Sequence, residues 1–319
     1  MDGQVTFRGL PADVVIREVG PRDGLQGEEP ISPQDRARLI NALSKTGLLK
    51  IEAVSFVSAK AVPAMAGADE VWANVERAPN IWYSALVPNR RGAEAAVEAG
   101  GFSSLQSFLS ASEAYNQKNL GKTVWESIAD LAQVAAVARV AGLPVEASIS
   151  SAFGDPYEGD VAPIRVLEVM RECLEAGTAS ISLGDTTGMA TPTRVWDLVG
   201  LVREALPGVR LNMHFHDTRG TALANILAAL ELGVDEFDSS VGGLGGSPFA
   251  PGAHGNVATE DLVHMLTDMG IRTRVDLSKM LQAAKLAESL VGHPLASQVS
   301  KAGPRWAWAS GGGVEPVPS

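Results

Sequence analysis

Val14-Val15-Ile16-Arg17-Glu18-Val19-Gly20-Pro21-Arg22-Asp23-Gly24-Leu25-Gln26 is the stretch whose reading decides the fold. Its first six residues are a short β-branched run stopped by Gly20-Pro21, the signature of a strand with a sharp end. The polar residues Arg22, Asp23 and Gln26 follow where such a strand opens onto a loop. Ser32-Pro33 then provides an N-cap with Pro at the first helical position, and Ala37, Leu39, Ile40 and Leu43 form a helical stripe up to Gly47. Strand, loop and helix make one unit.

That unit recurs along the chain. Strands are expected at 48–54, 81–87, 102–109, 144–150, 179–183, 209–215 and 236–241. Helices are expected around 62–75, 92–99, 124–141 and 166–174, and after the seventh strand, where Leu223, Ile226, Leu227 and Leu230 recur at i, i+3, i+4 and i+7. Residues 110–119 read as a polar loop. Eight strands alternating with helices, without a linker-like break in composition, point to an α/β fold of the (β/α)8 TIM-barrel type. A doubly wound open sheet would place its glycine fingerprint after the first strand, whereas here Gly242-Gly243-Leu244-Gly245-Gly246 follows the eighth. Additional C-terminal helices are expected near 259–269 and 277–290. The expected division is a catalytic barrel over 1–275, a helical extension packed on it over 276–305, and a flexible tail over 306–319.

Composition sets outer limits. The chain has 319 residues, 45% of them hydrophobic and 20% charged, as in globular proteins. A formal net charge of −11 argues against nucleic acid as the principal partner. The single cysteine, Cys173, excludes an intrachain disulfide and lies on an amphipathic helix, where packing is the simpler role. No apolar run approaches the ~18 residues of a membrane span, and Met1 to Leu10 lacks a signal-peptide pattern. A cytoplasmic protein without membrane partners is the expectation.

In a barrel of this kind, active sites gather at the C-terminal ends of the strands. The polar residues there are Arg22, Asp23, Gln26, Glu52, Ser55, Asp185, His214, His216 and, beyond the glycine-rich loop, Asn256. Within Met213-His214-Phe215-His216-Asp217 the two imidazoles share one face of a strand, because alternate side chains point the same way. Either could be an ordinary core or surface histidine. Together with a carboxylate and an amide oxygen they make a mixed N/O donor set for Mg²⁺ or Mn²⁺, with Zn²⁺ or Co²⁺ also possible, leaving room for a chelating substrate. Arg22 would place a fixed positive charge where an oxyanion develops. Glu52 and Asp185 would orient ligands, move protons or plug the barrel mouth with hydrogen bonds. Gln26, Ser55 and Gly246 are candidates for binding the substrate, and the loop through Ser247-Pro248 has the composition of a lid.

Four segments carry a resemblance. Glu18-Val19-Gly20-Pro21-Arg22-Asp23-Gly24-Leu25-Gln26, Ile51-Glu52-Ala53-Val54-Ser55-Phe56-Val57-Ser58, His214-Phe215-His216-Asp217-Thr218 and Gly255-Asn256-Val257-Ala258-Thr259-Glu260-Asp261 resemble the 3-hydroxy-3-methylglutaryl-CoA (HMG-CoA) lyase family of the DRE-TIM metallolyases, over about Val14 to Gly270. The resemblance implies that Asp23, His214, His216 and Asn256 hold the divalent metal, and that Arg22 stabilises the enolate of departing acetyl-CoA. It also implies that Glu52 and Asp185 belong to the active site, and that the reaction is a retro-Claisen cleavage of an acyl-CoA to acetyl-CoA and a keto acid. The family's loop reads Gly-Gly-Cys-Pro, with a catalytic acid/base cysteine, where this chain has Gly245-Gly246-Ser247-Pro248. A serine hydroxyl is the weaker acid and needs activation, so Ser247 is taken as the catalytic counterpart, with His254 as another titratable group on the loop. A related hydroxyacyl-CoA such as citramalyl-CoA, a CoA-independent aldol substrate, and a non-catalytic metal- and CoA-binding role are the alternatives. A homo-oligomer, dimer or larger, is expected.

Overall fold

The computed structural model describes residues 9–246 and 255–309. Eight parallel strands close into a barrel in sequence order: β1 (Val15–Glu18), β2 (Lys50–Ser55), β3 (Trp82–Leu86), β4 (Ser104–Ser110), β5 (Val145–Ser150), β6 (Ser180–Asp185), β7 (Leu211–Phe215) and β8 (Glu236–Ser239). Pairing of Val15 with Glu236 and of Arg17 with Asp238 joins the last strand to the first. The (β/α)8 expectation therefore holds, and closure leaves no exposed sheet edge.

Helices α1 (Pro33–Leu43), α2 (Ala68–Ala73), α3 (Arg90–Ala99), α4 (Glu113–Leu120), α5 (Val124–Val140), α6 (Pro163–Glu175), α7 (Pro192–Ala205), α8 (Ala222–Glu231) and α9 (Thr259–Asp268) surround the barrel. Local signals start them. Ser32 accepts from Asp35 N ahead of α1, and Thr123 and Glu126 form a reciprocal capping box at α5. Their apolar faces bury residues such as Leu39, Ile40 and Leu43 of α1 against the outer face of the sheet. Cys173 is packed in that layer on α6, its thiol pushed up to about 12 by burial, which removes it as a nucleophile.

Two stretches differ from expectation. Residues 110–119, expected as a polar loop, contain α4. It shows no apolar stripe because much of its anchoring is polar: Ser112 caps it, and buried Asn116 accepts from Ser110 N while donating to Lys122 O and Ser127 Oγ. The helix expected over 62–75 is broken into a turn at Pro63–Met65 and the short α2, because Gly67 between them adopts a left-handed φ of 71°.

Beyond the barrel, α10 (Leu277–Val291) lies between α1 and α9 and buries Leu277, Met280, Ala283, Ala284 and Ala287. Two short helices follow, α11 (Gln298–Ala302) and α12 (Arg305–Ala309). The latter occupies the start of the stretch expected as a tail, where Trp306 stacks on His264 at a centroid distance of 5.1 Å. Among the described residues no helix is long and apolar enough to cross a membrane.

Candidate active site

Polar side chains converge at the C-terminal mouth of the barrel. After β1 the chain makes one wide turn, Gly20–Gly24, in which Arg22, Asp23 and Gly24 all donate their amides to Val19 O. That turn directs Asp23 inward, with its residue only 7% exposed. His214 and His216 come from the end of β7 on one face, as alternation requires, with their Nε2 atoms 3.1 Å apart. Asn256 sits opposite them, because Asp217 N donates to Gly255 O and Val257 N to Phe215 O in a short strand-like pairing. The glycine-rich turn closes over the group. A Cβ at Gly245, which adopts φ of 110°, would lie 2.5 Å from Asn256 Nδ2.

Ligand atoms of Asp23, His214 and His216 all lie within 4.8 Å of one another. Asp23 Oδ2 accepts from Asn256 Nδ2 at 2.7 Å and lies 3.9 Å from His214 Nε2. Asn256 Oδ1 is buried and has no hydrogen-bond partner among the described residues, an arrangement that costs stability unless another group satisfies it. Two imidazole nitrogens and a carboxylate gathered in one small volume, with the Asn256 amide against that carboxylate, fit a divalent cation.

Electrostatics supports the same assignment. Burial raises the Asp23 carboxyl, but Arg22, His214, His216 and Asn256 together outweigh it and hold the group down at about 2. Burial lowers the His214 imidazole, and the hydrogen bond and charge of Asp238 reverse the balance so that its pKa is raised. Arg22 spans two carboxylates, one terminal nitrogen 2.6 Å from Asp23 Oδ1 and the other 2.7 Å from Glu52 Oε2. Glu52 is raised by burial, against the pull of Arg22 and Arg17. Asp185 accepts the amides of Met189 and Ala190 through Oδ1, while Oδ2 is buried without a partner among the described residues; burial pushes this carboxyl up to about 7.

The nine polar strand-end candidates all lie at this end of the barrel, with different occupations. Gln26 donates its amide to Asp23 Oδ1 at 2.8 Å and so braces that carboxylate. Ser55, at the end of β2, is buried, and its hydroxyl has no partner among the described residues. Gly246 ends the described part of the loop, and Ser247 and His254 lie outside the described residues. Some residues at the site have no role in the sequence reading, Asp238 foremost. Asp238 on β8 has its Oδ2 3.0 Å from His214 Nδ1. Its signal was a carboxylate at an inward position of an otherwise buried strand, where an unpaired charge is costly.

Residues 13–287 match the family model described as HMGL-like. The chain belongs to the HMGL-like family. It is 47% identical to hydroxymethylglutaryl-CoA lyase of Bacillus subtilis, over 90% of this chain and 96% of that protein. It is 45% identical to the cytoplasmic 3-hydroxy-3-methylglutaryl-CoA lyase of Rattus norvegicus, over 92% of this chain and 86% of that one. A solved HMG-CoA lyase from Acinetobacter baumannii, in complex with coenzyme A and 3-methylmalate, matches with a TM-score of 0.89 at 40% identity, covering 96% of this chain and 98% of that chain. HMGL-like members are divalent-metal dependent, and the donor cluster at the barrel mouth lies on the matched segment.

Proposed function

We propose that this protein is a carbon–carbon lyase that cleaves HMG-CoA to acetyl-CoA and acetoacetate. The observation that carries the reading is the convergence of Asp23, His214, His216 and Asn256 beside the Arg22–Glu52 pair, in a chain of this family. Asp23, His214, His216 and Asn256 would hold a divalent metal, Mg²⁺ or Mn²⁺ by the hard carboxylate and amide oxygens, which when bound supplies Lewis acidity toward adjacent substrate oxygens.

The protein's own groups do the rest. Asp185 Oδ2, buried and unpartnered among the described residues, takes the proton of the tertiary hydroxyl. The resulting alkoxide collapses to a ketone as the C2–C3 bond breaks, and the bond's electron pair passes into the thioester carbonyl as an enolate. Arg22, locked between two carboxylates before substrate arrives, is a preorganised cation for that enolate. A proton delivered to C2 completes acetyl-CoA, and Ser247 is the loop residue assigned to that delivery. Glu52 holds Arg22 in register rather than reacting. Ser55 and Gly246 line the substrate's approach.

A second reading has a specific basis. Ser247 stands where the family has cysteine, and a relative of 40% identity was solved with coenzyme A and 3-methylmalate. Both favour a related branched hydroxyacyl-CoA as an additional substrate. The cytoplasm is the proposed location, supported by the single cysteine and by a relative that carries that location in its name. A homo-oligomer completes the proposal, with light scattering as its check.

The test is direct: Mn²⁺-loaded protein is given HMG-CoA and a panel of related thioesters, and acetyl-CoA is quantified. Release of equal amounts of acetyl-CoA and acetoacetate, abolished by chelation, is expected. Absence of acetyl-CoA from every thioester sinks the lyase reading. A gain on HMG-CoA in Ser247→Cys, with a loss on another thioester, favours the second substrate class.

A further inference from the structure

The barrel interior beneath the metal site is charged. Arg17 on β1 sets Nε and a terminal nitrogen against the two oxygens of Asp238 at 2.7 and 2.8 Å, and its other terminal nitrogen against Glu146 of β5 at 2.5 Å. Gln106 and Ser180 donate to Glu146, and Asn212 donates to Asp238 Oδ1 at 2.8 Å. Arg17, Asp238 and Glu146 are 5, 4 and 7% exposed. A carboxylate gripped on both oxygens by a planar guanidinium cannot rotate. Asp238 Oδ2 is therefore fixed where it lies 3.0 Å from His214 Nδ1.

The consequence is chemical. An ionised carboxylate only accepts hydrogen bonds, so the facing Nδ1 must carry the proton. In the neutral imidazole, Nε2 then holds the lone pair, and Nε2 is the atom that faces His216 and Asp23. We propose that Asp238, held by Arg17, is a positioning residue for the metal centre: it commits His214 to the Nδ1–H tautomer and presents Nε2 as a ligand. The inference rests on the metal-site reading above. It assigns a role through His214, with no contact to substrate. Partners of this kind change metal affinity by about 10–100-fold when removed.

Asp238→Asn is the informative variant. It leaves Arg17 paired with Glu146, so no buried cation is orphaned, while an amide in that place no longer dictates which imidazole nitrogen is protonated. Mn²⁺ is titrated calorimetrically into metal-free full-length wild type, Asp238→Asn and Asp261→Asn, with thermal melts of each. Asp261 holds the start of α11 through Ser297 and Val299, so its variant reports general destabilisation. In parallel, long-range ¹H–¹⁵N spectra of histidine-labelled metal-free protein are recorded at rising pH until the His214 nitrogens report a neutral ring, because Asp238 raises its pKa. The signal lost in His214→Gln identifies the residue.

The expected results are an Nδ1–H tautomer for His214 in wild type, a roughly 10–100-fold weaker Mn²⁺ affinity in Asp238→Asn, and wild-type affinity in Asp261→Asn. An Nε2–H tautomer in wild type overturns the proposal whether or not the variant folds, as does wild-type affinity in folded Asp238→Asn. Failure of wild type to bind Mn²⁺ overturns the metal reading itself, a separate outcome.

Discussion

Glu260→Gln is expected to stabilise the protein selectively at alkaline pH. Glu260 lies in the first turn of α9 with its side chain fully buried, and both of its oxygens accept from Gly242 N, at 3.0 and 3.1 Å. Burial pushes the carboxyl up to about 8 despite the backbone amides, and the nearby Glu18, itself pushed to about 7 chiefly by burial, adds to the rise. In the unfolded chain Glu260 ionises near its ordinary value of 4.5. Between these two values the folded state keeps a proton that the unfolded state has released, so stability falls by about 1.4 kcal/mol per pH unit. The contribution is fully present below about pH 4.5 and lost as pH rises through about 8, an upper limit of about 5 kcal/mol. Glutamine matches the neutral form at every pH and is spared this loss. Asp23, depressed to about 2, has the opposite sign, losing stability only as pH falls through the acid range, and it is common to both proteins. Urea unfolding followed by circular dichroism from about pH 5 to 9 measures the difference between variant and wild type. The difference should grow in the variant's favour with rising pH. A flat difference would show that Glu260 is ionised in the folded protein and held by the Gly242 amide, contrary to the argument.

Other perturbations address the site. Arg22→Lys keeps the charge, but one ammonium cannot reproduce the fork between Asp23 and Glu52. Steady-state kinetics on HMG-CoA should show kcat lowered about 10²–10³-fold with KM nearly unchanged, and a change confined to KM would deny Arg22 its role in the transition state. Metal removal by chelation should abolish turnover. Mn²⁺ restored at about 100 times its Kd should raise the unfolding free energy by about 2.7 kcal/mol, an increment that melts of His216→Ala should lack.

The fold was legible because its information is local. Most strands contain β-branched or other apolar residues between turn signals, most helices carry a cap or an apolar stripe, and a parallel strand–helix alternation with this spacing closes in few ways. Residues at the strand ends could be grouped without coordinates because the architecture itself sends them to one mouth, which is how Asp23 and Asn256, 233 positions apart, were paired. What failed was whatever depended on a partner. α4 was read as a loop because buried Asn116, rather than an apolar stripe, ties it down. Asp238 was missed because its meaning lies in Arg17 and His214, on two other strands, and an inward carboxylate has no periodic signature of its own. For Gln26, expected to bind substrate, the coordinates add a bond from its amide to Asp23 that no local pattern announces.

Charge balance explains why these unread residues belong with those that were read. Arg17 is shared between Glu146 and Asp238, and Arg22 between Asp23 and Glu52. Each guanidinium thus answers two carboxylates, and with neutral imidazoles each group retains one uncompensated negative charge. Two such charges inside a barrel are costly, since the low dielectric gives water little part in screening them. His214 lies between the groups, joined to one through Asp238 and 3.9 Å from the Asp23 carboxylate of the other. A divalent cation on the Asp23, His214, His216 and Asn256 donors would cancel both, whereas a monovalent one would leave the interior charged. Arg17, Glu146 and Asp238 beneath the site would thus favour a doubly charged ion alongside the donors themselves.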